Sequence, residues 1–572
     1  MATTPADMGA LADQPPYPPE RIVGAPFPER VRLACGNWAY ASPNHPAVMA
    51  LYWIKYFVGL IAGWALWCSF NENHPGFFAF ADWAFTTDAF AKAMVWSTFW
   101  ELAGFGCGWG PMNARFDPWF GGYRHFLRPG TIKLPLFRGA PLIGGDTRSW
   151  LDVALYALTQ LVLLRALVAA SVTSELLLPL VFLIPAMGIL DKTLYLACRA
   201  EHYFVVLACM ALAPSEAVWI AGAKLTWCFI WFWAAVSKLN RHFPTVVMVM
   251  MNNGPFFPKA LKHRLFARYP DDLRPSWLAT ALAHFGTIVE FTIPVVLILG
   301  AESETARLVG LLMMTAFHGW IGINNPNGMP VEWNILMVYG GWFLFGFHPA
   351  VPLATLAQTP VLLGLLLLSL AVVPAVGNLW PSRVSFLLAM RYYAGNWAYN
   401  IWLIRKGAAK KLDKIKKSAD LVYAQLAKLV PDPLQLEVAK TMMCVTRFMH
   451  FEGRPLLEAL PAAVDDIEDY EWHEGEVLGG TVLGWNFGDG HLNGEQLLRA
   501  IRPICGFEEG EVRVVSIESQ PLFGSTMHWR VLDPVRGVVA EGETRLADWL
   551  DAQPYPTGKY AAALLRGGRA IA

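Results

Sequence analysis

Charge is what this sequence has least of. Only 16% of its 572 residues are Asp, Glu, Lys or Arg, and 45 basic side chains cancel 45 acidic ones. Scarcity of that order excludes an ordinary soluble domain. The even balance removes any global bias toward nucleic acid, so electrostatic arguments have to be local. Cysteine is sparse too. The eight Cys, at 35, 68, 107, 198, 209, 228, 444 and 505, are scattered without CxxC or metal-ligand spacing, and read as small buried hydrophobes rather than disulfides. Residues 1–47 lack a basic n-region leading into an apolar h-region, so they do not read as a cleaved signal.

What fills the sequence instead is hydrocarbon. Hydrophobic residues make up 55% of the chain, with 25 Trp, which fits a polytopic membrane protein. Apolar runs lie at about 48–70, 90–109, 150–170, 175–190, 195–213, 217–238, 279–300, 307–323, 333–348 and 354–377. Several are short for a crossing of about 20 residues. The expected fold is therefore an all-α domain of about 8–10 transmembrane helices with a small C-terminal soluble α+β domain.

Four regions follow. Residues 1–47 form an interfacial segment in which ERVRLACGNWAY reads as a short helix holding Arg30 and Arg32 at lipid headgroups. Residues 48–380 form the membrane domain. Residues 381–430 are a basic, then amphipathic linker expected to lie as a helix on the membrane. Residues 431–572 turn acidic and alternate in hydropathy, with a turn at DPVRG between two strands. The runs 124–148, 259–274 and 405–417 are basic. With ten spans all three share the side of the N-terminus, which the positive-inside rule makes cytoplasmic, so an inner (cytoplasmic) membrane with both termini in the cytoplasm is expected.

Chemistry is sought where charge sits in hydrocarbon, because such charges are costly unless paired or used. Lys238 closes a span of aromatic and aliphatic residues. It is either a desolvated base or a lysine snorkelling at a helix end. Glu201 and His202 follow Asp191 and Lys192 near one membrane face. Glu290 lies inside a span, six residues after His284, and needs a partner, with Lys238 or His318 as candidates. His318 precedes NNPNGMPVEWN, a helix break of the kind tolerated at membrane depth where it lines a cavity. The long Gly- and Pro-rich loop after the second run carries Arg124, His125 and Arg128, suited to an anionic headgroup or to an interfacial belt. Near the C-terminus, Asp489 and His491 sit in a GDGH turn, where the turn itself demands Asp and Gly.

These motifs carry a resemblance. LDKT (190–193), AEHYF (200–204), AVSKL (235–239), Glu290 with Pro294, and Phe317-His318 together resemble the membrane domain of vitamin K-dependent gamma-carboxylases over about residues 185–350. The stretch 242–294 is similar to the lipase maturation factors. Through RPGTIKLP, PDDLRPS, RYYAGNWA and NFGDGHL, nearly the whole chain is similar to a bacterial family of large transmembrane proteins of unknown function. The carboxylase resemblance implies Lys238 as the base toward a hydroquinone, with His202 and His318 near the active site. Glu201 stands where that family has an asparagine, and no counterpart of its propeptide-binding region is found.

Three functions follow as expectations. The first is a membrane enzyme doing acid/base chemistry on a lipid-soluble isoprenoid or quinone, with Lys238 as base, His202 and His318 as partners and Glu290 as orienter. The second is a prenyl-diphosphate cyclase, with Lys259, Lys262, Arg264, Arg268, Arg274, Arg124 and Arg128 on the diphosphate and Asp271 and Asp272 on Mg²⁺. The third is a lipid-handling or maturation factor without catalysis. In each the partners are membrane lipid and a hydrophobic small molecule.

Overall fold

The computed structural model describes residues 16–40, 46–72, 74–106, 121–254, 256–324, 331–559 and 568–570. Two sequence features fall partly outside these residues: the start of the Gly- and Pro-rich loop, 107–120, and the break 325–330. Six helices are long and apolar enough to cross a membrane. In chain order the helices that matter below are α1 (Ala50–Cys68), α2 (Thr87–Leu102), α3 (Trp150–Val168), α4 (Glu216–Ser237), α5 (Trp277–Leu299), α6 (Glu304–Asn324), α7 (Val331–Gly341) and α8 (Pro360–Leu379). All but α2 and α7 are the candidate spans.

The remaining apolar runs form shorter elements for local reasons. The run at 90–109 becomes α2, whose Lys92 and Glu101 are buried. The run at 195–213 breaks at Arg199, which adopts a left-handed φ of 49° between the helices Lys192–Ala197 and Tyr203–Leu212. That conformation is uncommon for a residue with a Cβ. The run at 333–348 is the short α7 followed by a π-turn, Trp342–Phe347.

Polar caps set the helix starts. Ser149 and Asp152 form a reciprocal capping box at α3, and Ser276 Oγ accepts from Ala279 N at 3.2 Å at α5. The helix at the centre of the bundle is α4: 83% of its apolar window is buried, against 22–33% for the other five spans.

A short hairpin, β1 (Phe266–Arg268) with β2 (Asp272–Pro275), lies in the loop before α5. The C-terminal part holds the strands β3 (Tyr399–Arg405), β4 (Tyr470–Glu474), β5 (Val512–Ile517), β6 (Thr526–Asp533), β7 (Gly537–Arg545) and β8 (Gly568–Ala570). They form one six-stranded antiparallel sheet in the order β4-β3-β5-β6-β7-β8. The β6–β7 turn is the expected DPVRG, with Asp533 Oδ1 accepting from Val535 N and Arg536 N.

Two expectations are corrected here. The segment read as a helix on the membrane surface contains β3, which is buried along all but its last residue. Side chains alternate across a strand, so Trp402 and Ile404 enter the core that holds Trp227 and Trp231 of α4, while Tyr399, Ile401 and Leu403 enter a second core. A strand buried on both faces is a continuous apolar run with no period-2 signal. The N-terminal helix Phe27–Tyr40 is likewise largely buried in that second core. Its Arg30 donates to Glu468 Oε2 at 2.7 Å and its Arg32 to Glu29, so both cations find partners in the protein rather than at headgroups.

Candidate functional site

Lys238 caps the end of α4 and forms an ion pair with Glu290 of α5, each side chain 5% exposed. Its ammonium also lies 5.2 Å from the Phe243 ring centroid and 5.7 Å from that of Phe317. The lysine therefore turns inward rather than snorkelling. The turn beneath it is tied to α8 and to the C-terminal part. Ser237 Oγ donates to Asn378 Oδ1 at 2.8 Å, and Arg241 N donates to Gln520 Oε1. Gln520 is itself clasped by Asn396, which donates to its carbonyl at 2.9 Å and accepts from its N at 3.0 Å.

His318 of α6 stands beside this pair, within electrostatic reach of Lys238. An indole N–H can only donate, so Trp231 Nε1 donates to His318 Nε2 at 2.9 Å, and Nδ1–H donates to Asn334 Oδ1 at 2.9 Å. Both ring nitrogens are thus engaged. Of the four expected residues, Lys238 and Glu290 are in direct contact, and His318, held by Trp231 and Asn334, lies near enough to feel the Lys238 charge.

The fourth lies elsewhere. His202 is fully buried against Trp227, with ring centroids 4.6 Å apart. It borders a second buried polar cluster built on Arg199. Arg199 Nε donates to Glu201 Oε1 at 2.6 Å, Nη2 donates to Tyr393 OH at 2.7 Å, and the guanidinium lies over the Trp333 ring. These contacts hold the left-handed backbone of Arg199 in place. Trp333 Nε1 in turn donates to Glu101 Oε1 at 2.8 Å, and Glu101 is within hydrogen-bonding reach of Glu332. Gly106 passes so close to Glu101 that a Cβ there would fall 2.1 Å from Oε2.

The two clusters are joined by three consecutive residues of α7: Glu332 reaches Glu101, Trp333 covers Arg199, and Asn334 accepts from His318. Sequence reasoning missed Glu101, Arg199, Trp333, Asn334 and Tyr393. The available signal was VEWN, whose acid and amide directly follow the Asn-, Pro- and Gly-rich string NNPNGMP.

A cavity of about 160 Å³ opens beside Glu332, lined by Leu60, Trp64, Trp96, Ser97, Leu336 and Tyr339 among others from α1, α2 and α7. Among its lining residues, Ile61, Ile335 and Tyr339 are half-buried. Ile61 lies near the middle of α1, a helix long and apolar enough to cross a membrane.

Several of the residues assigned to a diphosphate and Mg²⁺ are engaged by neighbours in the protein. Arg274 clamps Asp272 at 2.6 Å and Asp551 at 2.7 Å, and its hydrogen bonds hold the Asp272 carboxyl down at about 2. Asp271 is exposed and lies 3.6 Å from Arg268. Lys259 lies over the Tyr40 ring, and burial pushes Lys262 down to about 8. Arg264 and Arg124 are exposed, and Arg128, also exposed, donates to Lys417 O at 2.9 Å. No group of three His, Cys, Asp or Glu among the described residues is arranged to hold a metal ion. In the GDGH turn, Asp489 accepts from His491 N and from Ser385 Oγ, and His491 Nε2 lies 2.8 Å from Glu518.

Fold and site together define a polytopic membrane protein with buried clusters of ionisable side chains and a C-terminal sheet sharing the core of the bundle. The chain belongs to the family described as transmembrane protein of unknown function (DUF3556), whose model matches residues 8–563. Neither the curated proteins nor the solved structures give a match.

Proposed function

We propose that this chain is an integral membrane enzyme that performs acid/base chemistry on a lipid-soluble substrate of isoprenoid or quinone type. The observation that carries the reading is the cavity: its lining is mostly apolar, it lies against the spanning helix α1, and Glu332 is among the residues that line it. A buried carboxyl group set beside a second carboxyl group is equipped to give or take a proton.

In this reading Glu332 exchanges a proton with the substrate and Glu101 is its partner. Arg199 positions both through Trp333. Lys238, Glu290 and His318 form a second ionisable centre, reached from the same end of α7 through Asn334. Lys238 acting as base, as the carboxylase resemblance implies, requires Glu290 to release it first. The cyclase reading has less support, because the Asp pair already faces arginines. A cytoplasmic-membrane location with both termini in the cytoplasm rests on the basic segments alone.

The test works on a substrate drawn from a mixture. Wild-type protein in nanodiscs is incubated with a neutral-lipid extract in D₂O, and mass spectrometry records protein-dependent deuterium at carbon. Incorporation that disappears in Glu332→Gln supports the reading. Absence of incorporation with wild type, or its persistence in Glu332→Gln, sinks it and leaves the non-catalytic lipid-handling alternative.

A further inference from the structure

The loop between β5 and β6 presents a residue that an aqueous surface does not explain. Phe523 is 81% exposed, and its φ of 60° is left-handed. Side chains with a Cβ seldom adopt that conformation, and turns that need it use Gly or Asn. A bulky aromatic held there with its ring outside the fold points to an apolar partner beyond the protein.

The attachments of the loop show which partner. Leu522 N donates to Asn378 O at 2.8 Å, which fastens the loop to the last turn of α8. Gln520 Oε1 accepts from Arg241 N, just past the end of α4. With 20 residues, α8 is about 30 Å long, the thickness of the hydrocarbon core. Its exposed side chains Val361, Leu365, Leu368 and Val372 follow the i, i+4, i+7 pattern of one helix face. Apolar exposure then continues through Leu379 and Trp380, at the end where the loop is fastened. Phe523 therefore extends a surface that already faces lipid.

Cations stand where that surface ends. Arg383 follows Trp380, which is 59% exposed, and Arg241 follows the exposed Leu239. Both arginines are exposed, and among the described residues neither guanidinium is in an ion pair. Tryptophan and arginine together at the end of a span are the composition of a membrane–water boundary.

We infer that the β5–β6 loop anchors the C-terminal sheet to the bilayer. The Phe523 ring enters the leaflet at the ends of α4 and α8, and Arg241 and Arg383 meet the phosphates of anionic phospholipids. The inference needs α8 to cross the membrane and is independent of any catalysis.

The test places a nitroxide label at each of three sites, through Phe523→Cys, Val372→Cys and Val535→Cys, in nanodiscs. The unsubstituted chain treated with the same reagent gives the background. Val372 lies on the lipid face of α8, and Val535 lies in the turn at the opposite end of β6. Power-saturation EPR compares collisions with oxygen, which concentrates in hydrocarbon, and with a water-soluble nickel chelate. The expected oxygen-to-nickel ratio at 523 is at least 3-fold above that at 535 and no higher than that at 372. A ratio equal to that at 535 puts the loop in water and overturns the inference. Exclusion of both reagents at 523 reveals a protein cover, such as a second copy of the chain, and overturns it equally. Replacing half of the phosphatidylcholine by phosphatidylglycerol is expected to raise the ratio at 523 at least 1.5-fold, and to leave it unchanged once Arg241→Gln and Arg383→Gln are added. No rise with the native arginines overturns the anionic-headgroup assignment, and a rise that survives their loss overturns the role of the arginines. A thermal melt of each labelled chain confirms folding, and should Phe523→Cys fail to fold, Ser525→Cys carries the label with the same expectation.

Discussion

Replacing Lys238 by methionine isolates the ion pair at the end of α4. Both side chains of the pair are 5% exposed, so removal of the ammonium leaves the Glu290 carboxylate among Phe243, Phe317 and the helix walls with no cation beside it. Breaking a buried pair in this way costs about 3–5 kcal/mol. Replacing both partners by apolar groups of similar volume restores most of it, because the desolvation penalty of two charges disappears along with their attraction. The expected series is therefore a loss of about 3–5 kcal/mol in Lys238→Met, a similar loss in Glu290→Leu, and stability within about 1 kcal/mol of wild type in the double variant. Equilibrium unfolding in mixed detergent micelles measures all three, and the cycle gives the coupling. A loss below about 1 kcal/mol in the single variants, or simple additivity in the double one, refutes the argument that burial makes this pair indispensable to its own partners. Deuterium exchange in the double variant then separates roles: retained exchange makes the pair structural, and lost exchange ties it to the chemistry.

Four further outcomes are expected. Gly106→Ala forces the Glu101 carboxyl away from Trp333, because the new Cβ falls 2.1 Å from Oε2; deuterium exchange should drop at least 10-fold with the fold preserved by circular dichroism. Gln520→Ala removes the acceptor for Arg241 N, costs about 1–2 kcal/mol, and should raise hydrogen exchange at residues 238–242 in a mass-spectrometric comparison. Burial pushes Glu452 up to about 8, so its effect on stability is absent below the ordinary carboxyl range and becomes a growing penalty as pH rises from there through 8. Glu452→Gln should accordingly stabilise the chain at pH 9 and leave it unchanged near pH 4, as read by melting temperature. In the His491–Glu518 pair, burial is outweighed on both sides: Glu518 is held at about 2 and His491 is raised by its carboxylate neighbours. The Glu518 contribution is present above its unfolded range and fades as pH falls toward 2, while that of His491 is present below about 6.5 and fades as pH rises through its raised value. Glu518→Gln should flatten both limbs of the melting profile, and an unaltered profile contradicts the assignment.

Part of the candidate site was legible because its residues violate the composition around them. Lys238, Glu290 and His318 stand out as ionisable groups in apolar runs, and the demand of a buried carboxylate for a cation is enough to suggest the Lys238–Glu290 pair. His202 stood out by the same criterion, yet it packs against Trp227 beside Arg199 instead of joining them. Position along a helix does not say which neighbour a side chain faces. Glu332 and Asn334 were printed in VEWN, but their partners, Glu101 and His318, lie far away in the chain, and nothing local connects them.

By itself the sequence determined that the chain lives in a membrane, since scarcity of charge and long apolar runs follow from the solvent and not from the fold. It also determined the hairpin at Asp533, where turn chemistry is local. The tertiary structure alone decided that NIWLI is a strand, because burial on both faces erases the alternation that marks one. It alone decided that the C-terminal sheet shares a core with α4, and that three successive residues of α7 serve two polar clusters and a cavity. Those outcomes depend on which surfaces meet, and a chain read one window at a time carries no record of its distant contacts.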